Sequence, residues 1–198
     1  SFLTRALYNY KGKYYFNASF RMDGTSVFPN NRWQPFWAIG AAWELTKEEF
    51  MQEQNVIDFL KLKASTGVLG VQNTGGYNYP AYPLLRTGSA AVFGDLVYTA
   101  AENDYLADEN LKWETNKANE IGVELDAFKR RLHFEAAYYS KKTEGLLSRV
   151  NNGGLSDGLL NQGALKNSGM EFSASWTQSL NRDLSITVGG NLTTFNNK

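Results

Sequence analysis

The 198-residue chain contains no cysteine. That excludes a disulfide framework, a thiolate metal site and a cysteine nucleophile together. A single histidine, His133, leaves no room for a histidine-rich metal centre or a triad built around a second imidazole. Charge of one sign is also missing, since 20 Lys and Arg balance 20 Asp and Glu, so no net field draws the chain to nucleic acid. No apolar run approaches the roughly 18 residues that a spanning helix needs. The mean hydropathy of −0.43 ordinarily marks a water-soluble protein. A strand that offers only alternate residues to lipid escapes that test. The chain opens on Ser1-Phe2-Leu3-Thr4, with neither Met nor a charged-then-apolar leader.

What is present points to strands. Aromatics reach 14%, and 18 Gly stand against only 4 Pro, a mixture of pleated segments and tight turns. Read at period two, eight strands emerge. From Tyr14 to Asp23, Tyr14, Phe16, Ala18, Phe20 and Met22 oppose Tyr15, Asn17, Ser19, Arg21 and Asp23. A strand over Phe2–Tyr10 joins it through Lys11-Gly12-Lys13. The third, Phe36–Leu45, sets Trp37, Ile39, Ala41 and Trp43 on one side, although Phe36 blurs the other. The fourth, Leu60–Leu69, opposes Leu62 and Ala64 to Lys61 and Lys63. The fifth ends with Ile121, Val123 and Leu125 against Glu120, Glu124 and Asp126; the sixth starts at Leu132 with Phe134, Ala136 and Tyr138 against His133 and Glu135. Met170, Phe172 and Trp176 mark the seventh, and Ile186, Val188 and Leu192 the eighth.

Alternation alone does not separate a soluble sandwich from a membrane barrel, so the connections arbitrate. Segments 11–13, 129–131 and 178–183 are short, whereas 24–35, 70–112 and 148–164 are long. Such sorting is expected when one end of every hairpin faces the periplasm and the other the outside. The exception is 46–58, where Thr46-Lys47-Glu48-Glu49 reads as a capping box opening a short helix through Phe50 and Met51; it is placed on the short-turn side. With this sorting both chain ends fall on the long-loop side. An internal piece of a larger transmembrane β-barrel is therefore expected, rather than a complete eight-stranded one.

The residues also resemble a known family. Arg21-Met22-Asp23-Gly24-Thr25-Ser26 followed by Asn30-Asn31-Arg32-Trp33 is similar to the barrel of SusC/RagA-type TonB-dependent transporters. In the same order come Ala41-Ala42-Trp43 with Glu49-Phe50-Met51, Leu60 to Ser65, and Gly70 with Gln72-Asn73. Asn110-Leu111-Lys112-Trp113-Glu114, Tyr138 to Thr143 and Asn167 to Phe172 complete the set. Residues 78–110 and 150–163 match poorly, where members of such a family would differ in what they bind. The resemblance implies an all-β, antiparallel, plugged barrel of about 22 strands, of which this chain supplies eight. It further implies nutrient import across the bacterial outer membrane, driven by the TonB complex, with a SusD-like surface lipoprotein as a lid. The plug and the TonB-contacting segment are expected outside residues 1–198. A passive porin or secretion channel, and a soluble all-β carbohydrate-binding or carbohydrate-active domain, are the alternatives.

Candidate sites follow from this frame. Tyr8, Tyr10, Tyr14, Trp37, Trp43, Tyr138 and Trp176 are read as girdle residues at the lipid headgroups, against an alternative as core of a soluble sheet. In the loop 70–112, Tyr77, Tyr79, Tyr82 and Tyr105, with Phe93 and Tyr98, offer rings that stack on sugar or peptide cargo or meet the lid; packing within the loop is the alternative. Trp33 belongs to the same candidate set. Glu102, Asp104, Asp108 and Glu109 match no calcium-loop spacing and read as a solvated acidic stretch. His133 beside Glu135 has no nucleophile and reads as a lumen residue. Arg21 and Asp23 read as plug contacts or an ion pair. Gly153-Gly154 and Gly158 lack the following helix and Lys of a phosphate cradle. No catalytic residue, cofactor or metal is expected.

Overall fold

The computed structural model describes residues 1–72, 74, 76–151 and 158–198, without the side chains of 89–91. Asn73 and Gly153-Gly154 therefore lie outside the described residues. Strands dominate: β1 (Phe2–Tyr10), β2 (Tyr14–Gly24), β3 (Trp33–Glu44), β4 (Ile57–Val71), β5 (Leu85–Phe93), β6 (Leu96–Asn103), β7 (Glu114–Ala127), β8 (Leu132–Glu144), β9 (Leu147–Val150), β10 (Gly158–Asn161), β11 (Ala164–Ser179) and β12 (Ser185–Asn197). Eight of them form one antiparallel sheet in the order β1-β2-β3-β4-β7-β8-β11-β12. These are the eight strands expected from the alternation. The sheet does not close on itself within the chain, so β1 and β12 are its edges.

The long connections carry structure that alternation did not reveal. β5 and β6 form a separate hairpin inside 72–113, and β9 and β10 pair inside 145–163. The expected short helix after Thr46 is replaced by two 3-10 turns, Leu45–Lys47 and Glu49–Met51, and neither has a side-chain cap. The capping box does not form: the Thr46 hydroxyl that would open it instead accepts the Leu60 N–H at 3.4 Å. The two tightest hairpins, at 11–13 and 128–131, use the left-handed region. Lys11 and Gly12 have φ of 54° and 65°, while Phe128, Lys129 and Arg130 lie at 59°, 60° and 59°. Each of the four non-glycine residues among them costs about 1–2 kcal/mol there. Asp58 offsets part of this by accepting the Arg130 N–H at 2.8 Å, and the Val56 carbonyl accepts that of Phe128 at 2.8 Å.

Register carries the two faces across the whole sheet. Tyr14, Trp43, Leu62, Val123, Ala136, Phe172 and Leu192 are successive cross-strand partners. On the opposite face Lys61 pairs with Glu124, which pairs with Glu135, which pairs with Ser173. The apolar stretch is offset along the sheet: it begins at Trp43 on β3 but two same-face rungs lower, at Leu132, on β8. A tilted barrel demands this. At a tilt of about 40° each step of roughly 4.8 Å shifts the level by slightly over one residue. The three steps from β3 to β8 then amount to about two same-face rungs.

Ile121 is 66% exposed in the middle of the apolar face. In the barrel refolded into lipid vesicles, Ile121→Arg is expected to lower unfolding stability by about 2–4 kcal/mol. Glu120→Gln, on the neighbouring pleat, is expected to change it little. Equal effects at the two positions would contradict the assignment of faces.

Candidate functional site

Two structures occupy the two ends of the sheet. At the short-turn end, aromatic rings line the apolar face. Tyr8 and Tyr10 stack with centroids 6.5 Å apart, Tyr10 and Tyr14 at 6.5 Å, and Tyr14 and Trp43 at 6.3 Å. Farther along, Trp176 lies 5.9 Å from Phe128. The polar tips of Tyr14 and Trp43 converge on one residue that alternation could not single out. Glu48 Oε1 accepts the Tyr14 hydroxyl at 2.7 Å and the Trp43 indole N–H at 3.1 Å, and Oε2 meets Lys13 Nζ at 3.0 Å. These hydrogen bonds, from Tyr14 first and then Lys13 and Trp43, hold the Glu48 carboxyl down at about 2. A parallel set lies on the polar face, where the Tyr15 hydroxyl sits 2.9 Å from Glu44 Oε2 and 2.8 Å from the Gly12 carbonyl. Lys47 Nζ donates to that same carbonyl at 3.0 Å and pairs with Glu44 at 3.1 Å. The connection 45–56 thus grips the β1–β2 hairpin from both sides.

At the long-loop end, Phe28, Phe36, Tyr105, Leu111, Trp113 and Leu159 form a buried hydrophobic cluster among the described residues. Phe28 and Phe36 meet the Trp113 ring edge-on at 6.0 Å and 5.6 Å. The Phe36 ring fills the space where a Cβ on Gly70 would stand, which accounts for both the glycine and the aromatic on the polar side of β3. Tyr105 is 1% exposed and its ring lies 4.8 Å from that of Tyr77. Burial pushes its phenol above the usual tyrosine range. Loops 25–32, 72–113 and 145–163 all contribute to this cluster, and polar contacts lock them. Asn31 Nδ2 donates to the carbonyls of Asn110 and Leu111 at 3.0 and 3.2 Å. Asn161 Oδ1 accepts the Lys112 N–H at 2.8 Å while its Nδ2 donates to the Lys112 and Gly145 carbonyls.

The aromatics singled out from sequence therefore separate by location. Tyr77 and Tyr105 pack inside the loop cluster, whereas Tyr79 and Tyr82 are 54% and 56% exposed. Trp33 falls on the apolar side: it pairs with Gly24, in the row of Trp37, Ile39 and Trp43, and its ring covers the Gly24 Cα. Trp37 and Tyr138 lie toward the long-loop end of that face, opposite Val68 and Met170. Asp104 pairs with Arg86 and with Arg149, and Asp108 accepts the Asn110 N–H at 2.8 Å. Asp104 and Asp108 thus take part in loop contacts. On the polar face, His133 Nδ1 is 2.7 Å from Asp126 Oδ1, and Arg21 Nε is 2.7 Å from Asp23 with its guanidinium 5.6 Å from the Phe36 ring.

Comparison with known proteins decides the family. Residues 4–198 match the family model described as TonB dependent receptor-like, beta-barrel. The chain belongs to this family. It is 34% identical over 200 residues to TonB-dependent receptor P3 of Formosa agariphila, covering 98% of this chain and 20% of that protein. To TonB-dependent receptor SusC of Bacteroides thetaiotaomicron it is 30% identical over 208 residues, covering 100% of this chain and 20% of that one. Among solved structures, the RagAB peptide transporter superposes with a TM-score of 0.82 at 26% identity, over 99% of this chain and 22% of that chain. The receptor chain thus spans about a fifth of the length of the relatives it matches. Its open eight-stranded sheet is a section of an outer-membrane β-barrel wall, in a family of receptors and transporters rather than of enzymes.

The lowering of the Glu48 pKa has a consequence of fixed sign. A carboxyl held below its ordinary 4.5 contributes stability above that pH and loses it as pH falls toward about 2. Trp43 fluorescence of the receptor in detergent is expected to change across that window, and in Glu48→Gln to be flat there. An identical acid transition in both proteins would show that Glu48 does not hold the belt.

Proposed function

We propose that this chain forms part of the wall and external loops of a SusC-like transporter that imports oligosaccharide or peptide nutrients across the outer membrane. The observation that carries the reading is the sheet itself, tilted and sorted into short turns and long folded loops, in close likeness to a RagAB peptide transporter. On this reading residues 1–198 belong wholly to the barrel, and a plug and a TonB-contacting segment lie elsewhere in the full protein. Energy reaches the barrel from the TonB complex through that segment, and a SusD-like lipoprotein closes the external end. The chain does no chemistry of its own. Tyr8, Tyr10, Tyr14, Trp37, Trp43, Tyr138 and Trp176 act as girdle residues, and the register supports adding Trp33 to them in preference to a cargo role.

Cargo or lid contact falls to the exposed rings of the external loops, Tyr79 and Tyr82. Tyr77 and Tyr105 support them by filling the loop cluster. Replacing Tyr79 and Tyr82 with Ala in the full-length receptor is expected to weaken binding of its oligosaccharide or peptide cargo by about 1–3 kcal/mol in total. Uptake falls accordingly, while surface level and heat-modifiable migration stay normal. Phe36→Ala is expected instead to cost about 3–5 kcal/mol of loop stability and to expose 72–113 to protease. Normal uptake by the Tyr79, Tyr82 double variant at normal surface level would contradict the assignment.

A further inference from the structure

One row of the outward face departs from the rest. Above Ile121, Tyr138 and Met170, toward the long loops, the ladder places Lys117 opposite Lys142 and Lys142 opposite Lys166. Lys166 in turn exchanges both backbone hydrogen bonds with Lys198, at 2.8 and 2.9 Å. Four lysines therefore stand side by side on β7, β8, β11 and the residue just past β12. No register shift interrupts these pairings, so the row shares its face with Ile121, Tyr138 and Met170. Like charges directly opposite one another on a sheet are unfavourable, and here the arrangement repeats three times in succession.

A single carboxylate answers it. Glu144, one rung higher on β8, is bound by Lys117 Nζ at 2.9 Å and Lys142 Nζ at 2.5 Å. Lys166 and Lys198 are exposed and, among the described residues, make no ion pair. The rung below is polar but uncharged, with Asn119, Ser140, Ser168 and Asn196 as partners. The row thus lies at the upper limit of the apolar band, where a lysine stem lies along lipid and its ammonium reaches the headgroup level. An excess of about three positive charges at that level calls for anions from outside the protein.

We propose that Lys142, Lys166 and Lys198, with Lys117, form a docking site for the phosphate groups of outer-leaflet lipid. The spacing suits that occupant. Neighbouring lysines in the row are about 5 Å apart at Cβ, close enough for two ammonium groups to share one phosphate. The strand tilt inclines the row to the headgroup plane by about 3 Å of depth per strand, a difference that the long lysine stems span, so neighbouring ammonium groups reach a common phosphate level. The proposal rests on the reading that long loops face outward; with the opposite orientation the row would face the inner leaflet.

The test uses the full-length receptor in lipid nanodiscs, with lipid A and chemically dephosphorylated lipid A as the probes and native mass spectrometry of retained lipid as the readout. The double variant Lys142→Gln, Lys166→Gln is expected to lower retention of phosphorylated lipid A by roughly 25-fold, about fivefold for each charge removed. Dephosphorylated lipid A should be retained weakly by wild type and variant alike. A control, Lys129→Gln with Arg130→Gln in the opposite turn, should leave retention unchanged. In lipid-free non-ionic detergent the row variant is expected to be at least as heat-stable as wild type, because repulsion has been removed; this separates lost binding from lost folding. Unchanged retention, equal loss in the turn control or equal binding of the dephosphorylated probe would overturn the proposal. Labelling of Asn110→Cys on intact cells by an impermeant thiol reagent checks orientation separately. Labelled cells with unchanged retention would sink the docking site alone, and unlabelled cells would sink the orientation on which it rests.

Discussion

Hydrocarbon offers a backbone nothing to bond with, and this governs the receptor chain. Every N–H and C=O at that depth must find its partner in a neighbouring strand, which is why eight strands pair antiparallel in sequence order from β1 to β12, with a single register shift at Ile57/Phe59 near the short-turn end. The same constraint fixes the side chains. With lipid against one face, a slip of one residue would turn that row inward and send lysines and glutamates to the hydrocarbon. The register from Tyr14 to Leu192 is accordingly continuous, and its slope relative to the apolar band is the tilt a barrel requires.

Outside the hydrocarbon the rules change, and the two ends solve different problems. The short-turn end must hold a hairpin in a strained left-handed turn. It does so with ionic hydrogen bonds, Glu48 on the apolar side and Glu44 with Lys47 on the polar side. The long-loop end must fold polypeptide that has no lipid to lean on, and it builds a small water-excluding core around Phe36 and Trp113. That core supports the exposed Tyr82 above it through the Tyr105 hydroxyl, which donates to the Tyr82 carbonyl.

Much of the wall was legible in the sequence because period-two alternation is the direct imprint of lipid on one side. Strand β2, with no exception among its outward residues, could be drawn to within a residue of its observed end. Where the lipid imprint stops, legibility stops too. Strands β5 and β6 and strands β9 and β10 pair away from the wall, so their sequences carry no comparable alternation. Thr46 to Glu49 has the letters of a capping box, yet the Thr46 hydroxyl turns to the Leu60 N–H on β4, a partner 14 residues away that no local motif reveals. Phe36 blurred the polar side of β3 for a reason visible only in three dimensions, the loop cluster that covers it. Trp33 was grouped with cargo contacts by its position in a loop motif, while its register sets it among outward residues. The lysine row was invisible for the same reason, since its members are scattered along the chain and become neighbours only through pairing.

The absence of cysteine from this segment makes the central claim directly measurable. Single cysteines placed in turn at Ile121, Gly122, Val123, Glu124 and Leu125 of β7, in an otherwise cysteine-free full-length receptor, report what each position touches. Cysteines at Gly122 and Glu124 are expected to react with a water-soluble thiol reagent, and those at Ile121, Val123 and Leu125 only with one dissolved in the bilayer. Uniform reactivity along the strand, or water-soluble labelling at the odd positions, would contradict the account.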